Sequence, residues 1–177
     1  MRKKIFAGGI ICSVALIAGI VKQQNPDIRI SQQGLELIGN VEGCRRDPYQ
    51  CPADVLTVGI GSTEAGGEPI KRNKIYTNQE IAERWADDLR RAEQCVNRHG
   101  NGQKMPQGAF DAMTSLTFNV GCGSIKNSTL FKMARNGYSP AICQQFGRWV
   151  YAGGKKLRGL EIRRAKETAL CLSGAKQ

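Results

Sequence analysis

Glu42-Gly-Cys44-Arg-Arg-Asp47-Pro-Tyr-Gln-Cys51-Pro-Ala-Asp54-Val55-Leu-Thr57-Val-Gly-Ile60-Gly61 is the stretch from which the fold can be worked out in both directions. Upstream, Ser31 is a ready N-cap, and Leu35, Ile38 and Val41 recur on one helical face, so a helix is predicted from Ser31 to Val41. Gly43 ends it and leaves Glu42 at its last turn. Downstream, sequence rich in Gly and Pro runs from Cys44 to Asn73. Within it, Val55-Leu-Thr-Val-Gly-Ile60 alternates as a strand does, and a hairpin is predicted there.

After residue 76 the pattern becomes helical. Thr77-Asn-Gln-Glu80 is a capping box, followed by Ile81, Trp85, Leu89, Ala92 and Val96 on one face. Pro106 opens a helix carrying Phe110, Met113 and Leu116. Ser128 and Ser139-Pro140 mark two further starts, and a basic helix is expected from about Leu160 to Leu172. The fold class is therefore α+β and mostly helical. A small lobe of about 31–76 is followed by a larger helical lobe of about 77–177, with the cleft between them as the natural ligand site.

The chain has 177 residues, 41% hydrophobic and 23% charged, with a net charge of +11. That is enough for a real core and argues against disorder. The charge favours an anionic partner without choosing among nucleic acid, membrane surface and cell wall. Met1-Arg-Lys-Lys4 precedes the apolar run Ile5–Val21, then Lys22. Basic residues before an apolar run are the mark of an export signal. Its many Ala, Gly and Ser residues make it a weak membrane span. Three readings stand: a cleaved signal peptide with small residues at Ser13-Val14-Ala15, a permanent anchor, and an uncleaved anchor that later leaves the bilayer. All three export the rest of the chain. Residues 1–22 are read as the signal-anchor segment, 23–30 as a polar connector and 31–177 as the main domain.

Glu42, eight residues, Cys51, five residues, Thr57, then Val-Gly-Ile-Gly resembles the phage-type lysozyme family, glycoside hydrolase family 24. That family has Asp where Cys51 stands. The resemblance extends to Phe118-Asn-Val-Gly-Cys-Gly123, Asn127-Ser-Thr-Leu130, Arg148-Trp149, Ala152-Gly-Gly-Lys155 with Gly159-Leu160, and Arg163-Arg164. It covers about residues 31–172. It implies a two-lobed lysozyme fold acting on the MurNAc–GlcNAc β-1,4 bond of peptidoglycan, without a cofactor and as a monomer. Glu42 is then the general acid, which must be protonated to deliver its proton. Cys51 and Thr57 supply the second group, and Phe118, Asn119 and Ser128 contact the sugar. On the residues alone, Cys51 can instead be a structural disulfide partner, with Asp47 or Asp54 as the second group. Rival functions are a lytic transglycosylase and a non-catalytic wall-binding protein of the same fold. A nucleic-acid partner is not expected, because the domain is exported and lacks a basic-aromatic reading motif.

The seven cysteines are 12, 44, 51, 95, 122, 143 and 171. No Cys-x-x-Cys pair exists and His99 is the sole histidine, so no metal site is expected. Cys95, Cys122, Cys143 and Cys171 can form two structural disulfides in any of three connectivities. Cys12, Cys44 and Cys51 are an odd set. A Cys44–Cys51 bridge would block Cys51 while Cys12 is embedded in the bilayer. Once the segment leaves, Cys12 can attack Cys44 and release Cys51. This scheme is similar to that of the signal-anchor-release endolysins, secreted inactive and switched on by leaving the membrane. The resemblance implies export to the periplasm, first tethered to the inner membrane through the N-terminal segment and then released.

Overall fold

The structure, a computed structural model, describes residues 9–51 and 54–173. Two hydrophobic clusters organise it, one built from residues between Cys12 and Leu89 and the other from residues between Cys95 and Cys171. The first, called the small lobe below, reaches beyond the expected 31–76, taking in residues from Cys12 to Ile30 at one end and Ile81 to Leu89 at the other; the second is called the helical lobe. The α-helices and strands among the described residues are α1 (Val14–Gln24), α2 (Gln32–Glu42), β1 (Arg45–Gln50), β2 (Leu56–Gly59), β3 (Ser62–Thr63), α3 (Asn78–Gly100), α4 (Gln107–Val120), α5 (Cys122–Ile125), α6 (Thr129–Arg135), α7 (Pro140–Cys143), β4 (Tyr151–Ala152), β5 (Lys155–Lys156) and α8 (Arg158–Ser173).

The described part of the N-terminal segment is folded into the small lobe. Ser13 caps α1, and Ile17, Ala18 and Val21 are fully buried against α2 and α3. No helix among the described residues is long and apolar enough to cross a membrane. The basic stretch Met1–Lys4 and the first part of the apolar run, Ile5–Gly8, lie outside the described residues. The polar connector is firmly held. Lys22 Nζ donates to the carbonyls of Ile28 and Ile30 at 3.0 and 3.1 Å. Ile30 N donates to Glu93 Oε1 at 2.6 Å, and Ser31 N to Asp111 Oδ1 at 3.0 Å. Burial pushes both carboxyls above their ordinary values. Arg29 lies over the Phe110 ring and reaches the carbonyls of Gly102 and Met105.

Ahead of α1 the chain runs beside β1. Arg46 N donates to Ile10 O at 2.7 Å and Cys12 N to Cys44 O at 3.1 Å, with Ile11 bridged to Arg45. This arm covers the edge of the antiparallel sheet β1-β2-β3, in which Tyr49 pairs with Thr57 and Thr57 with Thr63. Covering the edge satisfies backbone groups that would otherwise be open to pairing. The predicted strand at Val55–Ile60 appears as β2. Strand β1, with Pro48 inside it, has no alternating pattern in the sequence.

The helix starts fall where the caps predicted. Ser31 accepts from Gly34 N, Thr77 and Glu80 form the capping box, Ser128 accepts from Phe131 N, and Pro140 opens α7. Of the expected buried face of α2, Leu35 and Ile38 are buried, whereas Val41 is 38% exposed. Helix α3 joins the lobes, giving Ile81, Trp85 and Leu89 to one core and Cys95 and Val96 to the other. The helical-lobe disulfides are Cys95–Cys122 and Cys143–Cys171, and the small lobe holds Cys12–Cys44.

Candidate active site

Glu42 is the last residue of α2. The helix stops because Gly43 adopts φ +75°, a conformation that costs a residue with a Cβ. The carboxyl projects to the cleft wall and is 23% exposed. Gly61, at φ +73°, approaches it so closely that a Cβ there would lie 3.3 Å from Glu42 Oε2. Two glycines thus set the position of one acid, one by ending its helix and one by making room for it.

The orientation of Glu42 is fixed from behind by α8. Arg163 Nη1 donates to Glu42 Oε1 at 2.6 Å. The same guanidinium reaches Glu167 Oε1 at 3.1 Å and the carbonyl of Ser115 at 3.3 Å. Ser115 Oγ donates to Glu167 Oε1 at 2.6 Å, and Arg164 pairs with Glu167 Oε2 and Asn119 Oδ1. Arg163, Arg164 and Glu167 are essentially removed from solvent. Charges at that depth persist only when paired and hydrogen-bonded, so the network holds together as a unit. The resemblance includes Arg163-Arg164 but assigns neither arginine a partner. Glu167, four residues after Arg163, was the signal for a buried pair.

A cavity of about 450 Å³ opens in front of Glu42. Gly61, Thr63, Asp88, Phe118 and Asn119 share its lining with Glu42. Burial pushes the Asp88 carboxyl up, against hydrogen bonds from Ser62 and Arg91. Phe118 and Asn119 therefore stand beside the acid. Ser128 does not. It caps α6 and lines a separate cavity of about 320 Å³ with Gln145, Arg148 and Trp149.

Cys51 directly follows β1. Its backbone N donates to Val55 O at 3.0 Å, its side chain is half-buried, and its sulfur belongs to none of the three disulfides. Thr57 is buried, and its hydroxyl donates to Val55 O at 3.0 Å. Neither residue contributes to the cavity lining around Glu42. Tyr49, on β1, pairs with Thr57 of β2, and burial holds its phenol above its ordinary value. Asp47 has other work: it pairs with Arg45, accepts from Ile10 N at 2.6 Å, and is held below the usual carboxylate range chiefly by Arg45. Asp54 is exposed at a turn with φ +60°. Among the described residues, no group of His, Cys, Asp and Glu is arranged to hold a metal ion.

The profile of the Phage lysozyme family matches residues 39–167. The SAR-endolysin of Escherichia phage P1 is 43% identical over 97% of this chain and 96% of its own length. The SAR-endolysin of Haemophilus phage HP1 is 39% identical over 97% and 99%. Among solved structures, the active form of P1 phage endolysin Lyz superposes with a TM-score of 0.87 at 44% identity, covering 95% of this chain and 98% of that one. The secreted inactive form of the same endolysin reaches 0.58 at 41% identity over 82% and 97%. With the family profile spanning the cleft and both lobes, and relatives aligned along nearly the whole chain, this protein belongs to the phage lysozyme family.

Proposed function

We propose that this glycoside hydrolase is an endolysin in which Glu42 protonates the glycosidic oxygen of the MurNAc–GlcNAc β-1,4 bond of peptidoglycan. The observation that carries the assignment is the seating of Glu42. Its carboxyl is locked from behind by Arg163 and faces the cavity through the gap left by Gly61. A general acid needs that combination of fixed direction and access to the leaving oxygen. Phe118 and Asn119 bind the sugar from the helical lobe. Cys51, with Thr57, supplies the second group, stabilising positive charge on the sugar ring or orienting the attacking water. A disulfide sulfur can do neither, so the state of Cys51 decides whether the enzyme works.

The N-terminal segment controls that state. In the exported, tethered form, residues 1–22 lie in the inner membrane and Cys44 is bridged to Cys51. On release, the Cys12 thiolate attacks the Cys44 sulfur. The Cys12–Cys44 bond forms, the Cys44–Cys51 bond breaks, and Cys51 leaves as a thiolate with no net oxidation. The Cys12–Cys44 disulfide and the higher similarity to the active form of the P1 endolysin support reading this conformation as the released one.

The test is digestion of purified peptidoglycan by the full-length oxidised protein, with mass spectrometry of the muropeptides. New reducing MurNAc ends that vanish in Glu42→Gln are expected. Anhydro ends would overturn hydrolysis, and undiminished cleavage by Glu42→Gln would overturn the role of Glu42. For the exchange, Cys44→Ser is active without a trigger and Cys12→Ser stays inactive after release. Normal lysis by Cys12→Ser without added reductant sinks the isomerisation.

A further inference from the structure

The hairpin that precedes α8 belongs to neither core. Among the described strands β4 and β5 pair only with each other, Tyr151 opposite Lys156 and Ala152 opposite Lys155. Gly153 and Gly154, both at positive φ, make the two-residue turn. Directly opposed residues share a face of a hairpin, so one face carries Tyr151 with Lys156 and the other Ala152 with Lys155. Every residue from Tyr151 to Gly159 is exposed. Lys156 Nζ reaches Glu161 Oε1 at 2.7 Å and ties the hairpin to the first turn of α8. On that helix Arg158, Ile162 and Lys166 recur every four residues as an exposed stripe. Between Arg148 and Lys166 the exposed charges are all basic: Arg148, Lys155, Lys156, Arg158 and Lys166. Glu161 is the one acid in that range. Three large apolar side chains stand among them, Tyr151 at 63% exposure, Leu157 at 43% and Ile162 at 46%.

We propose that the β4–β5 hairpin and the first turns of α8 are a docking surface for an anionic phospholipid membrane. The excess of positive charge calls for a dense array of anionic groups, and phosphate headgroups supply one. The interleaved apolar side chains select lipid over a wall polymer. A hydrated polymer carrying scattered carboxylates has no layer in which Tyr151, Leu157 and Ile162 could be buried. A bilayer offers that layer just below its phosphates, at the depth where Tyr residues gather and where Lys and Arg reach back to the headgroups. None of these residues lines the cavity in front of Glu42, so the contact does not use the site of cleavage. Docked in this way, the helical lobe holds the chain at the membrane without a spanning helix. The surface is independent of the muramidase reading, because it binds lipid whether or not Glu42 cleaves a sugar.

Sedimentation of the oxidised full chain with vesicles reads the contact without turnover. Vesicles of equal phosphatidylglycerol and phosphatidylcholine should bind it, and pure phosphatidylcholine far less. Lys155→Ala with Arg158→Ala should weaken binding to the anionic vesicles about thirtyfold, the size expected for two basic residues at such a surface. Tyr151→Ser should lower the binding that survives about 0.5 M salt, where surface charge is screened within a few ångström. Amide exchange in residues 151–158 should slow when anionic vesicles are added. Equal binding by wild type and the double variant, or slowing confined to residues 9–24, assigns the contact to the N-terminal segment and overturns the proposal. If the double variant loses affinity for purified peptidoglycan sacculi and keeps its affinity for vesicles, the surface is a wall site and the proposal fails. The melting temperature of both variants, and their release of reducing ends from soluble peptidoglycan fragments, should match wild type. Absence of reducing ends from the wild-type enzyme would instead overturn the muramidase reading and leave vesicle binding unchanged.

Discussion

The two lobes are held together in different ways. The helical lobe draws its core, including Phe110, Met113, Leu116, Phe131 and Phe146, from residues between Cys95 and Cys171, and both of its disulfides close inside that range. The small lobe takes Ile17, Ala18 and Val21 of α1 into its core, and its disulfide joins Cys12 to Cys44. The helical lobe is thus complete without the N-terminal segment, whereas the small lobe is not. Glu42 and Cys51 are both on the small lobe. The N-terminal segment therefore completes the core of the lobe that bears the proposed acid and thiol, while the core of the other lobe does not draw on it.

The largest expected effect tests that asymmetry directly. Ile17→Ala empties a fully buried site in the small lobe, and such a truncation costs about 2–5 kcal/mol. Measured by urea unfolding and amide exchange, protection should fall at Leu35, Ile38, Val58 and Ile60 and persist at Phe110, Met113 and Leu116. A uniform loss across both lobes would break the comparison.

Next in size is the helical lobe's own staple. Cys143→Ser with Cys171→Ser opens a loop of sequence separation 28 and should cost about 3 kcal/mol. Its melting temperature drops, yet muropeptide release at 25 °C stays at the wild-type level, because that disulfide lies away from Glu42. Cys12→Ser is the opposite case, with activity lost through Cys51. A third substitution sharpens the dependence of the small lobe on its connector. Lys22→Met removes the donor to Ile28 O and Ile30 O, and about 1–2 kcal/mol should be lost. The loss should appear as faster amide exchange around residues 28–35, with the helical lobe unaffected.

Much of this architecture was legible in the sequence wherever the cause was local. Ser31, Thr77 with Glu80, Ser128 and Ser139-Pro140 announced helix starts because a cap acts within three residues of itself. Glu42 stood out through its resemblance to a family motif, the spacing to Cys51 and Thr57, which is itself local in sequence. What was not legible depended on distant partners. An apolar run reads the same whether lipid or protein covers it, so the packing of α1 into the small lobe was hidden. Strand β1, reading Arg45-Arg-Asp-Pro-Tyr-Gln50, has no alternation; its pairing with β2 on one side and with the arm at Ile10–Cys12 on the other is made by backbone groups that any sequence carries. The pairing of Arg163 with Glu42 was hidden because the two are 121 residues apart. The disulfide pairings bridge separations of 27, 28 and 32 residues, which spacing alone leaves open.

The smallest effect concerns the start of α3, the helix shared by both lobes. Glu80 closes the capping box on Thr77 and pairs with Lys74, and its pKa is held from an ordinary 4.5 down to about 2, chiefly by Lys74 and then by the Thr77 backbone N–H. A carboxyl whose folded value is depressed stabilises the folded state above its unfolded value and loses that contribution as pH falls through the folded value. The difference in stability between wild type and Glu80→Gln should therefore be constant above about pH 5 and shrink as pH falls toward 2. Solvent reaches this pair, so the plateau should stay below about 1 kcal/mol. Chemical unfolding followed by circular dichroism from pH 2 to 7 reads the profile. A difference that grows toward acid would mean that Glu80 is carried neutral in the fold. Because the cap sits on the small-lobe end of α3, whatever loss occurs should be seen in exchange at Ile81 and Ala82 before it is seen at Cys95 and Val96. The gradient along one helix then reports the same asymmetry as the two cores.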